Sequence, residues 1–164
     1  MPARQRSASR RSSALRRRAR SWQELGEGAP TLAGFARLCS LALAGYAKPD
    51  RPLSGEAKAI LYAARERGVI EVKGSHRAFN APARMLAVHV ETGPQQTTIF
   101  RNPDKPEVTI RFLAGFRELC EAGLAMHHIY GDFSLSREGF DLARTIGHAE
   151  VELLLRDTIE MGME

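Results

Sequence analysis

An α+β fold follows from three features of this 164-residue chain. Several segments carry apolar residues at helical spacing. Two others, Val69–Lys73 and Met85–Glu91, alternate apolar and polar residues as half-buried strands do. Clusters of Gly, Pro, Ser and Asp punctuate the two kinds of segment. The layout predicts a small antiparallel sheet of two to four strands packed with about four helices. These fill one domain, residues 22–164, behind a disordered Arg/Ser-rich arm, residues 1–21.

Taken in order, residues 1–21 offer almost nothing to bury. Trp22 to Gly28 is a short transition. Leu32, Phe35, Ala36, Cys39, Leu43 and Tyr46 keep a helical period that ends near Gly45. Pro49, Asp50 and Pro52 make the next stretch a loop. Ser54 reads as an N-cap, with Glu56 placed to favour the helix dipole, and Ala57, Ile60, Leu61 and Ala64 as the buried face. Gly68 ends this helix and the first strand follows. Gly74 to Pro82 reads as a loop, and Met85–Glu91 as a strand pairing with the first. Residues 93–106 lack helix signals, though Thr97 to Arg101 suits a short strand.

From Val108 the reading is a helix, a tight hairpin and a longer helix. Phe112, Leu113, Phe116, Leu119 and Cys120 form the apolar face of the first, and Gly123 stops it. Leu124–Ile129 and Phe133–Leu135 are the hairpin strands, joined by Tyr130-Gly131-Asp132. Ser136 opens the last helix, whose stripe of Leu142, Ala143, Ile146, Ala149, Leu153 and Leu154 suits either a core face or a dimer seam.

Charge is unevenly distributed. Eight of the 24 Lys and Arg lie in residues 1–20, which hold no acid. The other 16 face 19 acids, so the body is mildly acidic and the net +5 belongs to the arm. A body-wide basic footprint for nucleic acid is therefore absent, while the arm, with Arg16, Arg17 and Arg18 at its densest point, suits nonspecific phosphate contacts. No aromatic is interleaved with these arginines, so base stacking is not implied. The apolar stretch near Ala29–Ala47 is broken by Pro30 and Arg37, and Glu24 and Glu27 separate it from the arginines. Neither a membrane span nor an export signal is expected, and a cytoplasmic location is.

The run Leu119-x-x-x-Gly123-Leu124, the pair His127-His128, and Phe133-Ser134-Leu135-Ser136-Arg137-Glu138-Gly139-x-x-x-Ala143 resemble the close of a winged-helix regulator. The resemblance covers about a third of the chain. It implies that the helix before the hairpin enters the DNA major groove, with Arg111 and Arg117 as its cations, that the hairpin is the wing, and that the last helix builds a dimer. Two features depart from it. A helix-turn-helix needs a helix packed just before the recognition helix, and Gly93–Pro106 does not read as one. Glu118 and Glu121 oppose the two arginines.

A similarity at an offset of about 81 residues sets Ala33–Cys39 beside Ala114–Cys120, and Leu53–Glu56 beside Leu135–Glu138. A weak internal duplication of residues 31–68 and 112–160 would explain it, and so would the limited vocabulary of Ala-rich helices.

Catalytic and ligand motifs are sparse. There is no phosphate loop and no dinucleotide fingerprint. Adjacent His127 and His128 on one strand point to opposite faces, which argues against a shared metal site with Asp132. Cys39 and Cys120 read as buried thiols, so a Cys120–His127 nucleophile pair is disfavoured. The loop Lys73-Gly74-Ser75-His76-Arg77 gathers cations but reads as a plain hairpin loop. No cofactor or metal is expected. Three functions stay open: a non-enzymatic interaction module binding protein or a second copy through its last helix, a winged-helix-like transcriptional regulator, and an enzyme with an unrecognised site.

Overall fold

The computed structural model describes residues 20, 23, 24, 26–45, 52–74 and 81–162. These fall into two compact units, Met1–Gly34 and Phe35–Glu164. Within the first, exposed i,i+4 pairs join Arg20 to Glu24 and Gln23 to Glu27. The expected disorder of residues 1–21 lies almost wholly outside the described residues, as do Arg16, Arg17 and Arg18. Helix α1 (Pro30–Leu43) begins in the first unit and continues into the second.

The second unit is α+β. Helix α2 (Gly55–Ala64) is followed by β1 (Val69–Lys73), the short α3 (Ala81–Arg84), β2 (Ala87–Gly93) and β3 (Gln96–Phe100). Then come α4 (Pro106–Glu121), β4 (Ala125–Ile129), β5 (Asp132–Leu135), α5 (Arg137–Ala143), α6 (His148–Leu155) and β6 (Ile159–Gly162). All six strands form one sheet in the order β4-β5-β1-β2-β3-β6, antiparallel throughout. The expected β1–β2 pairing is present, with Ile70 opposite Val90 and Val72 opposite Val88.

The sheet is larger than expected. The last helical stretch does not run from Ser136 to Met161. It breaks after Ala143, α6 restarts from Gly147 as N-cap, and the chain then forms β6 against β3. Sidedness explains the failure of the stripe as one seam. Ala143, Ile146 and Val151 are buried, whereas Leu153 is 75% exposed and Leu142 37%.

Local chemistry explains the elements that were legible. Ser54 Oγ accepts from Ala57 N at 3.2 Å, and Ser136 Oγ accepts from Gly139 N at 3.1 Å, each satisfying an otherwise orphaned helix N–H. Ser136 also donates to Gly123 O at 2.8 Å, which ties the start of α5 to the end of α4. Gly68 and Gly123, at φ +67° and +69°, end α2 and α4 as expected. Tyr130 takes φ +47° at the hairpin turn.

One sheet face carries Ile70, Val72, Val88, Val90, Phe100 and Phe133, all nearly or fully buried. Helix α4 lies on it through aromatic contacts: Phe112 meets Phe100 at 4.8 Å, and Phe116 meets Phe133 at 5.0 Å and Phe35 of α1 at 5.4 Å. Helix α2 packs tightly beside α4. An added Cβ at Gly115 would sit 2.7 Å from Ala57 N, so only glycine permits this approach.

Two stability outcomes follow. Phe116→Ala removes a fully buried ring with two edge-to-face partners, and is expected to cost about 3–5 kcal/mol by chemical denaturation. Unchanged stability would place Phe116 outside the core. Gly115→Ala drives a methyl group into the α2 backbone and is expected to cost about 1–3 kcal/mol. A neutral result would show that the two helices are not in backbone contact.

Candidate functional site

Helix α4 presents Glu107, Ile110, Arg111, Ala114 and Arg117 outward. Its exposed face therefore mixes signs, and each arginine has a glutamate partner. Arg111 Nε lies 3.3 Å from Glu56 Oε1 of α2, and Arg117 Nε lies 2.9 Å from Glu121 Oε1 one turn on. Glu118 Oε2 accepts from Ser54 N at 2.8 Å, so this carboxylate serves the N-terminal end of α2, where negative charge is favoured. Strand β3 and the turn at residues 101–105 stand directly before α4, in the place a helix-turn-helix reserves for its first helix. Asn102 shapes that turn by accepting from Asp104 N and Lys105 N.

The hairpin disperses the residues once grouped around it. His127 packs against Phe133 with ring centroids 5.0 Å apart, and its Nε2 lies 3.0 Å from Tyr130 O. His128 faces the other side of the strand, with Nε2 2.8 Å from Ser134 Oγ. Asp132 is exposed beside the turn. Cys120 is fully buried and faces Cys39; burial first, then the Cys39 thiol, pushes its pKa well up. Both cysteines are free. A thiol held protonated in the core is a poor nucleophile. Among the described residues, no three of His, Cys, Asp and Glu gather as metal ligands, and no helix is long and apolar enough to cross a membrane.

The sheet face away from α4 carries Glu71, Lys73, His89 and Glu91. Arg67 Nε meets Glu91 Oε1 at 2.6 Å, and Lys73 pairs with Glu71 along β1. His89 is 9% exposed and its Nε2 has no partner among the described residues. Burial foremost, then Lys73 and Arg101, bring its pKa down to about 4, while Glu71 pulls it upward. Because the folded pKa lies below the ordinary value, the stability it contributes is complete above about pH 6.5. It is lost as pH falls toward 4, where the unfolded chain binds the extra proton. The loss is expected to reach about 3 kcal/mol. His89→Gln should flatten that part of the stability–pH curve; an unchanged slope would remove His89 as its source.

One polar cleft had no forewarning in the sequence. It measures about 410 Å³ and lies between the C-terminal end of α2, the β2–β3 hairpin and α6. Tyr62, Arg65, Thr98 and His148 line it. They come from three elements and share no linear motif.

Compared with family models, curated proteins and solved structures, the chain matches none.

Proposed function

We propose that this protein is a non-enzymatic interaction module, with polyanion contact delegated to its arginine arm and protein contact to its folded body. One observation carries the reading: both arginines on the exposed face of α4 are paired with glutamates, Arg111 to Glu56 and Arg117 to Glu121. A recognition helix needs unopposed cations near the phosphates, where carboxylates are repelled. The eight arginines of residues 1–20 have no acid among them and supply that charge instead.

A winged-helix-like DNA reader is the second reading. The formed succession α4, β4, β5 and α5 favours it, since this succession carries the resemblance.

Binding of the full chain to random duplex DNA across a salt series separates the two. Replacing Arg16, Arg17 and Arg18 by Ala should weaken binding and reduce the log–log salt slope by about 2–3, from about 0.9 per phosphate contact. Replacing Arg111 and Arg117 should leave affinity and slope unchanged. The reverse pattern would establish α4 as the DNA-contacting element and set the interaction reading aside.

A further inference from the structure

The cleft beside α2 has the chemistry of a ligand site. Thr98 is 6% exposed, between Val90 across the strand pair and Phe100 two residues on. It is not sealed in the core, because Thr98 lines the cleft. A hydroxyl that opens into a cleft is free to donate to whatever occupies that cleft.

Arg65 is held ready at the same place. Its guanidinium carbon stands 3.7 Å over the Tyr62 ring, and its Nη1 donates to Tyr62 O at 2.6 Å. Both contacts fix the plane of the fork while the Nη2 edge keeps its hydrogens. Among the described side chains at the cleft, the carboxylate of Glu66 is 3.6 Å from Arg65 Nε and is 71% exposed at the rim; Glu160 stands opposite Thr98 across the β3–β6 pairing. His148 borders the cleft from α6, its ring 5.6 Å from that of Tyr62. Thr92 and Gln96 of the β2–β3 hairpin add further polar groups.

We infer that this cleft binds a small molecule bearing an oxyanion, phosphate or carboxylate, on an organic body. Arg65 is the fixed donor to the oxyanion and Thr98 a second donor inside the cleft. The Tyr62 and His148 rings flank the body. A cleft of about 410 Å³ is far roomier than a bare phosphate requires, which is why a body is included. The inference is independent of whether the arm or α4 contacts DNA.

The test is a titration of the full isotope-labelled chain, followed by amide shifts, with inorganic phosphate, acetate and phenyl phosphate at constant ionic strength. Saturable shifts at Arg65, Thr98 and His148 are expected, with phenyl phosphate binding more tightly than phosphate. The ranking of phosphate against acetate identifies the oxyanion. Arg65→Gln should weaken binding about tenfold, the scale of one charge-assisted hydrogen bond. Thr98→Val should also weaken it while leaving the melting temperature nearly unchanged, since the change is close to isosteric. Absence of saturable shifts with all three probes would overturn the assignment. So would binding unaffected by both substitutions, or shifts confined to the arginine arm.

Discussion

Strand β1 is the constraint on which the body depends. It hydrogen-bonds to β5 along one edge and to β2 along the other, so it alone joins the β4–β5 hairpin to β2, β3 and β6. Its entry is set at Gly68, which accepts from Leu135 N at 2.8 Å and donates to Ala64 O at 2.7 Å. The Phe140 ring of α5 occupies the space where a side chain at Gly68 would begin. One backbone position therefore ends α2, starts β1, anchors β5 and seats α5. With β1 in register, Ile70 stands between Val90 and Phe133, and the apolar face on which α4 rests is continuous.

That continuity explains which parts were legible. Helices α2 and α4, the turn at Tyr130-Gly131 and the serine caps rest on local chemistry, because a cap or turn needs only residues three or four apart. β6 does not. Ile159 pairs with Ile99 across sixty positions of chain, and its four residues carry no run of alternation long enough to stand out against the preceding helix. The break between α5 and α6 was hidden for a related reason. Apolar residues persist through Ile146, and their helical spacing continues even though the backbone does not.

The functional residues divide along the same line. The sequence named Arg111 and Arg117 as the cations of this helix and Glu118 and Glu121 as the acids opposing them. It could not show that Glu56, more than fifty residues earlier, would meet Arg111, or that Glu118 would be drawn to the amide of Ser54. The cleft was less legible still. Arg65 and His148 lie in helices that look unremarkable alone, and only the folding of α6 against α2 sets both around Tyr62.

The acids of α4 are part of how the fold is assembled, and this limits what the helix can present to a partner. Glu118 answers a backbone amide at the start of α2, and Glu56 of α2 answers Arg111 of α4. The two helices approach within backbone contact at Gly115, so these polar links sit around a junction with no room to rearrange. Making the face strongly positive would remove carboxylates that α2 uses at its own N-terminal end. In the proposed reading a separate cationic segment avoids that conflict, because nonspecific phosphate contacts need no fixed geometry. On the proposed reading, the division of charge between a basic arm and a mildly acidic body follows from a helix α4 whose charged residues are already committed to holding its neighbour.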